Sequence, residues 1–160
     1  MIRPATEADV PTLLELVSEL ADYEREPEAA TGTHEDYLGA LFPDSAEPAV
    51  FAFVAEVEGA VVGMAIWFRT FSTWTGRHGI WLEDLYVRAS YRGQGLGADL
   101  MAALARECLR RGYPRLEWTV LDWNTAAIEV YSHLGAESMS EWTTRRLTGS
   151  ALGELAARAR

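Results

Sequence analysis

Two stretches of this sequence hold residue types that can do chemistry at a workable spacing. The first is Trp81-Leu82-Glu83-Asp84-Leu85, two adjacent carboxylates inside an apolar run that reads as a β-strand over residues 80–87. Adjacent residues of a strand point to opposite faces, so this reading lets only one of the two acids face a given pocket. Such an acid can accept a proton; the alternative is an edge-strand charge that limits aggregation. The second stretch is Tyr91-Arg92-Gly93-Gln94-Gly95-Leu96-Gly97, set between that strand and a long helical pattern. Small residues there let successive backbone N–H groups point inward as a nest, and the following helix adds the positive end of its dipole. Arg92 adds a full charge with two-pronged geometry for phosphate oxygens. Together these predict a pyrophosphate cradle.

Two familiar phosphate loops do not fit. A Walker loop needs Gly-Lys-Ser/Thr, and the chain has no Lys at all. A dinucleotide fingerprint needs G-x-G-x-x-G with an acid about twenty residues further on, whereas the spacing here is G-x-G-x-G. The charge balance narrows the partner. With 24 Asp+Glu against 14 Lys+Arg, the net charge is −10. That excludes the basic face a nucleic-acid binder needs and favours cationic partners. No apolar run reaches bilayer length, and the N-terminus has no signal pattern, so neither a membrane nor an export role is expected. Cysteine occurs once, as Cys108 on the apolar side of a helical pattern, which predicts a core thiol and a cytoplasmic protein. His34, His78 and His133 are scattered without metal-ligand spacing, so no metal is expected.

The elements that must position these residues follow from periodicity and punctuation. A short strand at 1–4 precedes Thr6, which with Asp9 forms a variant capping box for a first helix ending near Tyr23. Thr33 begins a second helix. Val50–Val57 and residues 61–68 form a hairpin around Glu58-Gly59. Residues 71–79 read as a polar, glycine-bearing loop before the acidic strand. A helix over 98–111 stops at Gly112, a strand spans 116–121, and Asn124 caps a short helix over 125–133. Residues 136–147 hold one or two strands, and the tail from Thr148 reads as a fraying helix. With no repeat and no linker, residues 1–160 read as a single α+β domain, a three-layer arrangement of one mixed, mostly antiparallel sheet flanked by helices.

The glycine turn matches R/Q-x-x-G-x-G/A before a long helix, so the chain resembles the GNAT acetyltransferase superfamily. IRPAT-x-AD at the start, ELADYE at the end of the first helix, WLEDLYV-x-x-x-YRGQGLG and DWNTAAIEVYSHLGA resemble its spermidine/spermine (polyamine, diamine) and thialysine acetyltransferase branch. The match is poor across residues 26–48 and after Ala136. The resemblance implies an acetyl-CoA-dependent N-acetyltransferase that moves an acetyl group directly to a primary amine of a small cationic acceptor: a polyamine, a diamine or a lysine-like amino acid. It also implies a homodimer. The rival readings are an acyl-CoA-binding regulator without turnover, and an enzyme for a protein, peptide or antibiotic amine.

Such a reaction must remove a proton from an ammonium with pKa near ~10, stabilise an oxyanion and protonate a leaving thiolate. By resemblance Glu83 takes the amine proton, directly or through water, and Asp84 has a structural or cation-attracting part. Tyr131, in W-N-x-x-A-x-x-x-Y, is the general acid and contacts the cofactor. Arg92, Gly93, Gln94, Gly95, Leu96, Gly97 and Ala98 hold the pyrophosphate. Leu85, Tyr86 and Val87 pair with the pantetheine arm as an extra strand, a backbone N–H there serving as oxyanion donor. Asn124, with Thr125, Ala126 and Ala127 beside it, contacts the same arm. The acceptor pocket is assigned to Tyr23, Glu24, Trp74, Glu83, Glu117, Trp118, Thr119 and Glu141; the plain alternative for each carboxylate is solvated surface.

Overall fold

The cap that the sequence places at Thr6 opens a 3-10 turn, Glu7–Asp9, which leads into helix α1 (Val10–Tyr23). The Thr6 N–H and hydroxyl both donate to Asp9 Oδ2, at 2.7 and 2.8 Å, and Arg3 closes the corner by donating to both Asp9 oxygens. Leu13, Leu16 and Leu20 then fall on one stripe and are buried. Helix α2 (His34–Leu41) is capped by the Thr33–Asp36 box and buries Leu41 against the same layer. The computed structural model describes residues 1–158, in two compact units.

The first unit, Met1–Leu121, carries a five-stranded sheet in the order β1-β2-β3-β4-β5. The strands are β1 (Ile2–Pro4), β2 (Val50–Val57), β3 (Ala60–Ser72), β4 (Arg77–Val87) and β5 (Leu116–Trp118). The first three pairings are antiparallel and β4–β5 is parallel. A parallel pair needs a crossover, and α3 (Leu96–Arg111) supplies it. The β2–β3 hairpin turns on Glu58 and Gly59 with φ of 51° and 81°, the left-handed pair that suits a two-residue hairpin loop. Ala52, Val54, Met64, Ile66 and Tyr86 pack with Leu13, Leu16, Leu20 and Leu41 on one face. Arg111 of α3 lies over the Phe51 and Trp67 rings, which alternate with those residues and so face the other way. The sheet is therefore covered on both faces within this unit, as the mixed-sheet α+β reading requires.

Helix α4 (Thr125–His133) and helix α5 (Gly149–Ala156) belong to the second unit. Several bounds differ from the sequence reading. The polar loop at 71–79 shrinks to residues 73–76, because β3 and β4 continue as a ribbon in which Phe71 pairs with His78 and their rings meet at 5.3 Å. The strand expected over 116–121 stops at Trp118. The strands expected over 136–147 do not form among the described residues. Those side chains are exposed, and β propensity by itself does not make a strand.

Candidate functional site

Strand β4 is not regular. Its register to β3 runs Phe68↔Trp81 and Trp67↔Leu82, then skips to Ile66↔Asp84. Glu83 is thus the extra residue of a β-bulge, a device that bends a strand and re-aims its side chains. This corrects the expectation that the two acids face opposite sides. Trp81 and Asp84 pair with Phe68 and Ile66 and share the face that packs on α1 and α2. Glu83 is exposed, and its Oε2 accepts the Trp81 indole N–H at 2.9 Å. The parallel ladder to β5 ends at Leu82↔Trp118, so among the described strands β4 from Glu83 to Val87 is flanked by β3 alone. That leaves Leu85, Tyr86 and Val87 on a sheet edge able to receive an extended ligand.

Burial first, then the neighbouring charges of Glu83 and Glu24, push the Asp84 carboxyl up to about 6. The Tyr37 phenol of α2 is also pushed up, by burial and by the Asp84 charge. Burial raises the Glu24 carboxyl as well, although the residue as a whole is exposed; the crowding acts locally on its carboxyl group. Glu24, Glu83 and Asp84 therefore share one negative field beside the strand end, and a cation placed there would relieve it. Sequence reasoning gave Asp84 a secondary part and overlooked Tyr37. The bulge that exposes this relation leaves no mark in residue type alone.

The glycine turn follows directly. Gly93 and Gly95 sit at φ of 76° and 83°, where a side chain is strained, and Gly95 is the N-cap of α3. A Cβ added at Gly93, Gly95 or Gly97 would meet nothing within 4 Å. Gly97 has no positive φ, so neither backbone strain nor internal packing requires its glycine. The first bond of α3 is Asp99 N–H to Gly95 O, so the N–H groups of Leu96, Gly97 and Ala98 stand ahead of the helical ladder. With Arg92 at the head of the turn, the arrangement can take an anion in open space.

Other predicted residues fall elsewhere. Trp74 is 91% exposed at the tip of the β3–β4 hairpin. Glu117 lies on β5 and pairs with Arg115 at 2.8 Å; Trp118 is half-buried and Thr119 exposed just beyond it. In the second unit, the Asn124 side chain accepts the Ala127 N–H at 3.3 Å and so caps α4 through Thr125, Ala126 and Ala127. Burial pushes the half-buried Tyr131 phenol above its ordinary value. Glu141 is exposed and belongs to no helix or strand. Cys108 is buried in α3, its thiol donating to Arg115 O at 3.5 Å and pushed up by burial, as a core thiol should be. His133 bonds Glu129 O one turn back, at 2.7 Å, and His78 bonds Thr70 O at 3.0 Å. No helix of the described residues is long and apolar enough to cross a membrane.

Comparison with known proteins gives these features a context. The acetyltransferase (GNAT) family matches residues 13–136. A thialysine N-epsilon-acetyltransferase of Bos taurus is 37% identical, the alignment covering 98% of this chain and 96% of the relative. An L-ornithine N5-acetyltransferase of Arabidopsis thaliana is 27% identical over 94% of this chain and 85% of its own. Among solved structures, an integron cassette protein from the mobile metagenome of V. cholerae superposes with a TM-score of 0.80 at 26% identity, covering 98% and 96% of the two chains. An aminoglycoside acetyltransferase from an uncultured soil sample, in complex with trehalose, superposes with a TM-score of 0.78 at 18% identity, over 92% and 96%.

Proposed function

Because the chain belongs to the GNAT acetyltransferase family and is an N-acetyltransferase, we propose that it moves the acetyl group of acetyl-CoA to a primary amine of a small cationic acceptor. The acceptor class is a lysine-like amino acid, a diamine or a polyamine. The observation that carries this is the shared field of Glu24, Glu83 and Asp84 beside the open edge of β4, immediately ahead of the glycine turn. The near-full-length thialysine acetyltransferase relatives support the acceptor class.

The residues fit acetyl-CoA. The left-handed glycines and the open space before Gly97 suit a pyrophosphate, and the β4 edge over Leu85, Tyr86 and Val87 suits an amide-bearing arm. Acetyl-CoA supplies the acetyl group as a thioester. The chain's own groups handle protons and charge. Glu83, held by Trp81, accepts the proton that the ammonium must lose before its nitrogen attacks. The C–N bond forms first, giving a tetrahedral oxyanion; as it collapses the C–S bond breaks, Tyr131 gives its proton to the departing sulfur, and the second proton shed by the nitrogen restores the phenol. A phenol raised by burial stays protonated at neutral pH and is ready to donate. A backbone N–H of the β4 edge faces the negative charge developing on the acetyl oxygen. One observation favours a second reading of the base. Asp84, with its carboxyl pushed up to about 6, is the acid tuned toward neutral pH, and Glu83 then recruits the cation.

Residues 1–160 act as a single catalytic domain in this proposal, since the family match runs across the boundary between the two units. The enzyme works in the cytoplasm as a homodimer, and exposed Trp142, Leu152 and Leu155 near the C-terminus offer apolar surface for the partner. A thiol-release assay with acetyl-CoA against lysine, thialysine, ornithine, spermidine and an aminoglycoside tests the function. Turnover on the small diamines or lysine-like acids supports it. Release confined to the aminoglycoside, or to none, rejects it.

A further inference from the structure

Arg92 heads the glycine turn, yet one of its donors is committed to the chain itself: Nε donates to Val87 O at 2.9 Å. The centre of its guanidinium lies 4.9 Å from the centroid of the Tyr23 ring and 5.3 Å from that of Tyr86. Residues 23, 86 and 92 come from the end of α1, the end of β4 and the start of the turn. Tyr86 is fixed in the core at 8% exposure, and Glu19 and Arg92 both reach its phenol. Glu19 and Glu15 of α1 in turn bind Arg88, each at 2.9 Å, which pins α1 to the segment just after β4.

A guanidinium is flat and stacks on aromatic faces, whereas an arginine on an exposed turn otherwise samples many rotamers. Holding it in advance removes that ordering cost from anion binding. We propose that Tyr23 is a positioning residue of the cofactor cradle. Its ring holds the Arg92 guanidinium ready for a phosphate group, so Tyr23 governs affinity for CoA. The proposal rests on reading the turn from Arg92 to Ala98 as the CoA cradle. It gives Tyr23 a cofactor-side part in addition to the acceptor-side one that the resemblance implies.

The test measures CoA affinity by calorimetry, and KM for acetyl-CoA and for the amine, on the full chain and its variants. Tyr23→Leu should weaken CoA binding about three- to tenfold, as loss of one cation–π contact does, whatever happens to the amine KM. Tyr23→Phe keeps the ring and should keep wild-type CoA affinity. The double variant Tyr23→Leu/Arg92→Ala should bind CoA no more weakly than Arg92→Ala alone. If Tyr23→Leu does not fold, Tyr23→Met carries the same expectation. A raised amine KM with intact CoA affinity in Tyr23→Leu overturns the proposal, as does an additive loss in the double variant. Wild-type CoA affinity in Arg92→Ala would overturn the cradle reading itself. A weakened Arg92→Ala beside an unaffected Tyr23→Leu overturns only the role of Tyr23.

Discussion

Trp81 donates its indole N–H to Glu83 at the one place where β4 carries an extra residue. A neutral donor fixes the carboxylate while leaving its second oxygen and remaining lone pairs for an incoming ammonium.

Glu83→Gln should therefore lower turnover most near neutral pH and recover partly as pH rises toward the amine's own pKa of ~10, where solvent can take the proton. CoA affinity should stay constant. Full pH–rate profiles decide between the two acids. If Glu83→Gln changes only the amine KM while Asp84→Asn removes the acid limb of kcat, the base is Asp84.

Gly97 gives a clean probe of the cradle. Gly95→Val fills the same region but also strains a residue at φ 83°, so its effect on folding confounds its effect on binding. Gly97 has ordinary helical φ and open space ahead of it, and Leu is a better helix former than Gly. Gly97→Leu should keep or raise the melting temperature while weakening CoA binding at least about tenfold, the loss of ~1.4 kcal/mol or more of contact. Calorimetry showing unchanged affinity would place the pyrophosphate elsewhere.

Tyr131→Phe keeps the ring and removes the proton. Its turnover should fall by ~10²–10⁴ with little change in CoA affinity. Single-turnover kinetics showing a normal chemical step would reduce Tyr131 to packing.

Asp84 should cost the fold stability. Its carboxyl stands at about 6 in the native chain against an ordinary 3.8, so the native state holds the proton more tightly than the unfolded one. Stability then falls as pH rises from about 4 to about 6. Asp84→Asn should stabilise the protein by about 1–3 kcal/mol at pH 7–8, with the gain fading below about pH 4. Asp9 works in the opposite sense. Its hydrogen bonds from Arg3 hold its carboxyl down at about 2, so its contribution is present at neutral pH and lost as pH falls from about 4 through 2. The differences in melting temperature of Asp84→Asn and Asp9→Asn from wild type should slope in opposite directions with pH; a flat response for Asp84→Asn would mean that its burial is relieved by solvent.

Local signals in the sequence carried far. The Thr6–Asp9 box, the helix start at Thr33, the Glu58-Gly59 turn and the Asn124 cap all lie within four residues of what they organise, and each appears as read; the Thr33–Asp36 box is what the structure adds. The left-handed glycines were legible for the same reason. What escaped depends on partners distant in sequence. The bulge at Glu83 exists only against β3, so the alternation rule misplaced Asp84. The strands expected at 136–147 had the right residues, but propensity counts for little where every side chain stays exposed. The contact of Tyr23 with Arg92 joins the end of α1 to the turn after β4, far apart in sequence, and no spacing announces it.

The bulge also acts as a change of phase within one strand. Before it, even-numbered Ile80 and Leu82 enter the core under α3; after it, even-numbered Asp84 and Tyr86 turn to the layer of α1 and α2. Deleting Glu83 would restore strict alternation. One half of the strand would then rotate wholesale, either expelling Ile80 and Leu82 from one core or driving the Asp84 carboxylate into the apolar packing beneath α3. A single position thus keeps the two cores of the sheet in step with the strand they share, and an insertion or deletion there is far less tolerable than any substitution of the same residue.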